Sequence, residues 1–147
     1  MRQFDGGTWR TINSARVRIE NVWRNVTSVR VYQGGAWRDA ATFIQPLSVS
    51  LSATSVNADV QGSGIATSAP VTATPSGGVA PFTYSWTRVS GLSSTATTPT
   101  AATSAFSRFV GVGESASEEW RCTVTDALGT TANSPNVLVF FSSFDLI

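Results

Sequence analysis

The sequence predicts an all-β protein, and three observations support this prediction. Ser and Thr together number 39 of the 147 residues and accompany 12 Gly and 6 Pro, a composition that favours strands and turns over helices. Short apolar runs alternate with polar residues at a period of two. A tryptophan-containing segment also repeats at a fixed spacing near the start of the chain. We therefore expect a small N-terminal β-meander of three 14-residue Trp repeats (1–45), followed by an antiparallel β-sandwich (46–147).

The composition removes several kinds of chemistry. The chain has no His, which excludes Ser-His-Asp and Cys-His catalytic arrangements and imidazole metal ligands. Its single cysteine, Cys122, excludes an intramolecular disulfide, a Cys-x-x-Cys redox pair and a multi-thiolate zinc site. Phosphate-loop, dinucleotide-binding, zinc-protease and EF-hand motifs are also missing from the sequence. We expect no cofactor, no metal and no enzymatic activity.

Charge and hydropathy favour a place inside an assembly. Charged residues make up 13% of the chain, against a usual share of about 25%, while 41% apolar residues suffice for a buried core. All ten basic residues are Arg. Apolar runs such as 137–141 are much shorter than the roughly 18 residues that span a bilayer, and no signal peptide opens the sequence. We expect assembly in the cytoplasm and no membrane insertion.

The N-terminal segment contains an internal repeat. The pair Trp-Arg recurs at a spacing of fourteen, and a turn-prone pair precedes each copy. A second turn-prone pair follows seven or eight residues later, so each copy reads as two short strands of a meander. The Trp-Arg pairs are Trp9-Arg10, Trp23-Arg24 and Trp37-Arg38; the first turns are Gly6-Gly7, Glu20-Asn21 and Gly34-Gly35; the second are Asn13-Ser14, Thr27-Ser28 and, more weakly, Ala41-Thr42.

Two-residue turns fix the register of this meander. They place one row across six strands, in which Arg18 lies between two indoles at a Cβ separation of about 4.5–5.5 Å from each. The opposite face is apolar except for Arg10, Arg24 and Arg38. The row consists of Phe4, Trp9, Arg18, Trp23, Tyr32 and Trp37, and the opposite face of Ile12, Ala15, Val17, Ile19, Val22, Val26, Val29 and Val31.

Two interpretations of these aromatic residues remain open: they form the core of a small sheet, or one face is an assembly surface. A segment of about 45 residues with two apolar faces is too small to fold alone, so it should dock onto something. Arg and Trp are also enriched at interface hot spots. The expected interface residues are Trp9, Arg10, Arg18, Trp23, Arg24, Tyr32, Trp37 and Arg38.

Charge is distributed unevenly along the chain. Segment 1–45 has seven Arg against three acids, a net charge of +4, whereas 46–147 has three Arg against six acids, a net charge of −3. The Arg residues of the first segment are spaced along strand faces rather than clustered, which disfavours nucleic acid as a partner.

The second segment has the spacing of a sandwich. Candidate strands of about five to seven residues alternate with Gly-rich and Pro-rich turns, including 62–64, 75–78, 111–113 and 126–129. The stronger candidates are 47–53, 69–74, 82–88, 105–110, 119–125 and 137–141, and the weaker ones are 56–60 and 92–96.

Two phrases sharpen the fold prediction. In APFTYSWTRVSG the residues Phe82, Tyr84 and Trp86 alternate with polar ones, and EWRCTVTDALG places Trp120 and Cys122 on one strand face. These phrases resemble strands C and F of immunoglobulin-like (Ig-like) domains, especially the PKD-like and Big-type modules of bacteria and phages. The resemblance implies an Ig-like antiparallel β-sandwich.

The resemblance also implies which residues form the core. Cys122 takes the F-strand cysteine position, but the matching B-strand region 71–73 contains no Cys. The core should therefore contain Val71 (or Ala73), Trp86, Trp120 and Cys122 as an apolar cluster without a disulfide. Trp120 stands where a tyrosine corner would place Tyr, so it serves either as a backbone hydrogen-bond donor or as core, and we favour core.

The acidic residues of this segment do not form a recognisable site. They lack Asp-x-Asp or EF-hand spacing and fall on both sides of a predicted strand. We interpret them as a solvated rim: Glu114, Glu118, Glu119 and Asp126.

Both halves together resemble small virion proteins of tailed phages, in which repeats of the GGTWR and GGAWR kind and Ig-like domains recur. This resemblance implies a non-enzymatic tail, tail-tip or fibre protein, assembled in the host cytoplasm and located on the virion. Its partners would be other copies of itself and neighbouring virion proteins. Alternatives are a capsid decoration protein and an adhesion module that binds host-surface glycans; a small enzyme is disfavoured by the missing His.

Overall fold

The computed structural model describes residues 2–5, 8–11, 15–26, 28–33, 35–42 and 44–145, and these residues form an all-β protein. The chain divides into two units, Met1–Pro46 (unit 1) and Leu47–Ile147 (unit 2). Over the same residues, no helix has the length and hydropathy needed to cross a membrane.

Unit 1 consists of three antiparallel hairpins. In each hairpin the cross-strand pair predicted from the sequence is present: Phe4 with Trp9, Arg18 with Trp23, and Tyr32 with Trp37. In the middle hairpin, Glu20 and Asn21 both have positive φ (50° and 65°), as a two-residue type I′ turn requires. The strands are β1 (Arg2–Asp5), β2 (Thr8–Thr11), β3 (Ala15–Ile19), β4 (Val22–Val26), β5 (Ser28–Gln33) and β6 (Ala36–Thr42).

The described strands do not show the predicted six-stranded meander. They form three separate two-stranded sheets, and the described strands show no ladder between Trp9 and Arg18 or between Trp23 and Tyr32. Ser28 of the predicted turn Thr27-Ser28 is the first residue of β5. The weaker turn Ala41-Thr42 lies within β6. Gly6-Gly7, Ile12 to Ser14, Thr27 and Gly34 lie outside the described residues.

Unit 2 contains eleven strands within its described range. The six stronger predicted strands and the weaker one at 56–60 are present, whereas 92–96 contains only the short β12, and β9, β13 and β16 lie outside every predicted strand. The strands are β7 (Ser48–Leu51), β8 (Ser55–Gln61), β9 (Gly64–Thr67), β10 (Val71–Ser76), β11 (Thr83–Ser90), β12 (Thr95–Ala96), β13 (Thr103–Ser104), β14 (Phe106–Val110), β15 (Ser115–Thr125), β16 (Thr131–Asn133) and β17 (Val137–Phe144).

These strands form one large sheet and two small ones. The large sheet has the order β11-β15-β17-β8, with β16 also paired to β15, and β8 runs parallel to β17. The small sheets have the orders β13-β10-β7 and β12-β14-β9. All their ladders are antiparallel.

Both sets of sheets contribute to one hydrophobic core, which gives unit 2 the character of a β-sandwich. Phe106 on β14 stacks on Trp120 of β15 at a centroid distance of 5.0 Å and meets Trp86 of β11 edge-on at 5.5 Å. The buried side chains are Ala58, Ala66, Val71, Ala73, Trp86, Phe106, Val110, Trp120, Cys122, Val124, Val137, Val139 and Phe141.

Replacing Phe106 by Ala should lower the free energy of unfolding of unit 2 by about 3–5 kcal/mol, because it removes the ring between the two indoles. The matched control is Phe109→Ala on the same strand, since Phe109 is 64% exposed and its loss should change the free energy by only about 0.5 kcal/mol. Urea denaturation followed by tryptophan fluorescence measures both. Equal destabilisation by the two substitutions would contradict the core assignment.

Candidate functional site

The aromatic residues that the sequence placed at an assembly surface are exposed in unit 1. Trp23 is 63% exposed, Tyr32 60% and Trp37 68%. The rings of Tyr32 and Trp37 touch edge-on at a centroid distance of 5.4 Å, but no second layer covers them among the described residues. The interpretation of Trp23 and Trp37 as the core of a small sheet is therefore wrong for this chain taken alone. The side chains of Trp9, Arg10 and Arg38 lie outside the described residues.

The middle hairpin exposes apolar side chains on its other face as well. Val17, Ile19 and Val22 are each between 43% and 54% exposed. Arg18 pairs across the hairpin with Trp23, whereas Arg24 pairs with Val17, so the two arginines lie on opposite faces. A two-stranded sheet with both faces open to water has very little stability of its own.

Hydrogen bonds between side chains link the two strands in two of the hairpins. Arg16 Nε donates to Asn25 Oδ1 at 3.1 Å, and Arg30 Nε donates to Asp39 Oδ1 at 2.7 Å. Both contacts are exposed, and exposed ion pairs contribute little to stability. These two contacts therefore do not compensate for the exposed aromatic and aliphatic side chains of unit 1.

All four residues predicted for the core of unit 2 are buried: Val71, Trp86, Trp120 and Cys122. Cys122 is a free thiol, and burial raises its pKa although a backbone hydrogen bond from Ser85 acts against this shift. A buried thiol with a raised pKa is a poor nucleophile.

The indole N–H of Trp120 has a partner that neither of the two sequence interpretations named. It donates to the side-chain hydroxyl of Ser94 at 2.9 Å, so Trp120 is both a core residue and a hydrogen-bond donor. Trp86 donates to the carbonyl of Ala101 at 3.0 Å. Each buried indole therefore anchors a loop to the core.

The interpretation of Glu118 as part of a solvated rim is wrong. Glu118 is 1% exposed and accepts hydrogen bonds from the backbone N–H groups of Ser93 (3.3 Å) and Ser94 (3.2 Å) and from the Ser94 hydroxyl. Two guanidinium groups balance its charge: Arg108 Nη1 lies 3.6 Å and Arg88 Nε 3.9 Å from its oxygens. The carboxylate therefore ties the 91–94 loop to β15.

The same contacts set the protonation of this carboxylate. Burial acts to raise the pKa of Glu118, but the hydrogen bonds from the Ser94 hydroxyl and from the Ser93 and Ser94 backbone, with the charge of Arg88, outweigh it. The pKa of Glu118 is thus held below its ordinary value of 4.5. The sequence held one signal for this cluster. Residues 46–147 contain only three cationic side chains, and two of them, Arg88 and Arg108, lie beside Glu118.

Asp126 is also buried rather than part of a rim. Its carboxylate accepts hydrogen bonds from the backbone N–H groups of Val79 (3.1 Å), Leu128 (2.9 Å) and Thr130 (2.8 Å). Burial acts to raise the pKa of Asp126, and these hydrogen bonds hold it below its ordinary value. Asp126 therefore closes the turn after β15 and is a structural residue.

The two remaining acids of the predicted rim, Glu114 and Glu119, lie near the surface, and each accepts hydrogen bonds from neighbouring groups. Glu114 is exposed and accepts from the Gly111 backbone N–H at 2.9 Å and from Arg108 at 2.6 Å, whereas the half-buried Glu119 accepts from the Asn136 amide at 3.1 Å. Within the described residues, no group of three His, Cys, Asp or Glu side chains could hold a metal ion. Each of the predicted acids therefore forms hydrogen bonds with a different segment of the chain.

An open groove of about 480 Å³ lies beside the buried Glu118 cluster in unit 2. Trp86 and Trp120 form part of its wall, but they are only 4% and 5% exposed, so neither presents a ring face on which a sugar could stack. The full lining is Trp86, Thr87, Arg88, Ser94, Thr95, Ala96, Pro99 and Trp120.

No protein-family model and no curated protein match this chain. Among solved structures, the chain is similar to the crystal structure of a conjugative transposon lipoprotein from Bacteroides eggerthii DSM 20697, with 12% identity and a TM-score of 0.35. The match covers 66% of this chain and 97% of that chain. A likeness at this level carries no argument about function.

Replacing Glu118 by Gln should lower the free energy of unfolding at neutral pH by about 2 kcal/mol or more, because the charge that two arginines and three hydrogen bonds stabilise is lost. Since the pKa of Glu118 is lowered in the folded state, its contribution is present above the ordinary value of 4.5 and is lost as pH falls through the folded-state value. The difference from wild type should therefore shrink in acid. Urea titrations across pH, with Glu119→Gln as control, measure this, and a difference independent of pH would contradict it.

Replacing Gly91 by Ala should prevent the 91–94 loop from closing on Glu118. A Cβ at Gly91, where φ is +100°, would lie 2.8 Å from the Cβ of Glu118. Gly129→Ala is the matched control, because φ there is +80° but a Cβ would meet nothing within 4 Å. We expect the Gly91 variant to lose about 2 kcal/mol more than the control in thermal or urea unfolding. Similar losses would mean that backbone strain alone, and not the close approach, sets the cost.

Proposed function

We propose that this chain is a non-enzymatic structural protein of a bacteriophage virion, associated with the tail, tail tip or a fibre. Unit 1 anchors the protein in the assembly, and unit 2 projects outward as an Ig-like domain. The partners are other copies of the chain and neighbouring virion proteins, and the location is the virion.

One observation carries the proposal: the repeated aromatic residues of unit 1 are uncovered. Trp23 and Trp37 are about two-thirds exposed, and the opposite face of the middle hairpin exposes Val17, Ile19 and Val22. Monomeric proteins rarely leave such apolar patches open unless a partner covers them. The faces of two-stranded hairpins gain stability only when another strand or layer packs on them.

The strand order of unit 2 supports the Ig-like part of the proposal. Ig-like sandwiches place strands A, B and E in one sheet and strands C, F and G in the other. The order β7-β10-β13 corresponds to A, B and E, and the order β11-β15-β17 to C, F and G. Trp86 on β11 then occupies the C-strand position, and its cross-strand neighbour Cys122 on β15 the F-strand position.

Trp23→Ala tests the anchoring role. Because Trp23 lies one pair from the turn of the middle hairpin and is 63% exposed, its loss should reduce incorporation into particles by at least about tenfold, a typical hot-spot effect, while unit 2 stays folded. Incorporation is measured by mass spectrometry of purified particles against a tail protein as internal standard. The folding of unit 2 is checked by its urea transition.

Leu92→Ala is the matched control for that experiment. Leu92 is the most exposed large apolar side chain among the described residues, at 85%, and it belongs to unit 2. Its loss should leave incorporation unchanged. Normal incorporation of the Trp23 variant, or equal losses for the two variants, would contradict the anchoring role of unit 1.

A further inference from the structure

We propose that the partner of the unit 1 hairpins is unit 1 of other copies of this chain, with Arg18 of one copy packed on the exposed Tyr32–Trp37 pair of the next. This inference rests on the proposed assembly role of unit 1 and names its partner. The contact is carried by the middle hairpin of one copy and the third hairpin of another.

The sheet edges make this pairing geometrically suitable. Each hairpin of unit 1 is an isolated two-stranded sheet in the described structure, so the outer edges of its strands carry backbone N–H and C=O groups that no neighbouring ladder uses. Such edges pair readily with a strand of another chain. Strands β3 to β6 have five to seven residues each, so a hairpin of a second copy supplies a strand of matching length.

The exposed rings supply about half of the area that a stable contact buries. A buried aromatic side chain covers about 150–250 Å², so Trp23, Tyr32 and Trp37, at 60–68% exposure, leave about 400 Å² of ring surface uncovered. A standard interface takes about 800 Å² from each partner. Three side chains therefore supply about half of that requirement. The half-exposed aliphatic residues on the opposite face of the middle hairpin are open to a separate contact on that side.

The middle hairpin carries a cation where the other two hairpins carry an aromatic ring, so the hairpins can attract one another. The cross-strand pair of the first and third hairpins consists of two aromatic residues, whereas that of the middle hairpin consists of Arg18 and Trp23. In the part of the chain that the structure describes, Arg18 forms no ion pair. A guanidinium on an aromatic face contributes about 0.5–1 kcal/mol when exposed and about 2 kcal/mol when water is excluded. The Tyr32–Trp37 pair is such a surface, and every copy carries it.

The position of Arg24 provides an internal control. Arg24 lies on the opposite face of the same hairpin and pairs with Val17 across the strands, so it has no aromatic partner in its row. Both arginines are exposed members of the same short hairpin. Removing either charge changes the net charge of unit 1 equally. A difference between the two variants therefore reports the packing of Arg18, not a general loss of charge.

Sedimentation velocity of the purified full chain over a range of concentrations tests the proposal. The wild type should associate reversibly. Arg18→Gln should raise the dissociation constant at least about fivefold, the equivalent of one cation–π contact, and Arg18→Lys should have a smaller effect. Arg24→Gln should change it by less than about twofold. Far-UV circular dichroism of each variant confirms that unit 2 stays folded.

Two results would overturn the inference. One is a chain that stays monomeric up to about 100 µM, a concentration at which a weak but specific contact is populated. If such a monomer still enters particles and Trp23→Ala still prevents this, the hairpins bind a different virion protein, so the proposed function stands and only the self-association fails. The other is an equal effect of the Arg18 and Arg24 substitutions, which would show that charge and not stacking controls association.

Discussion

The exposed apolar faces of the unit 1 hairpins limit how stable unit 1 can be without a partner. The part of an indole that stays in water adds no burial free energy to folding. A two-stranded hairpin also has too few cross-strand contacts to compensate for the entropy of ordering its chain. The repeat places a tryptophan in every hairpin, and at least two of the three indoles are exposed. In the assembly that we propose, the stability of unit 1 and the association of the protein would be one process, because the same side chains would serve both.

Unit 2 has its own core and does not share this constraint. Its core brings Trp86, Phe106 and Trp120 together between the sheets, and the buried carboxylate of Glu118 fixes the adjacent loop. A buried ion pair rarely adds net stability over apolar packing, but removing one partner is costly. The cluster of Glu118 with Arg88 and Arg108 thus holds one loop conformation. A unit with its own core is consistent with the outward-projecting role that we propose for unit 2.

The features predicted correctly from the sequence were those set by local patterns. The alternation of Phe82, Tyr84 and Trp86 located β11, and the two-residue turn at Glu20-Asn21 fixed the pairing of Arg18 with Trp23. The failures involve partners distant in sequence. Glu118 was placed at a solvated rim because the acids lack metal-site spacing and fall on both sides of a predicted strand, while the arginines that neutralise it lie 30 and 10 residues away. The six-stranded meander, which the described strands do not show, depends on contacts between hairpins that no single hairpin turn encodes.

Hydrogen exchange of backbone amides, compared between dilute chain and assembled particle, tests the central claim most directly. We predict that the amides of β3 to β6 exchange rapidly in the dilute chain and become protected on assembly, while those of β15 and β17 are protected in both states. Slow exchange of β3 to β6 in the dilute chain would show that unit 1 is stable without a partner. That result would contradict the claim that assembly completes its fold.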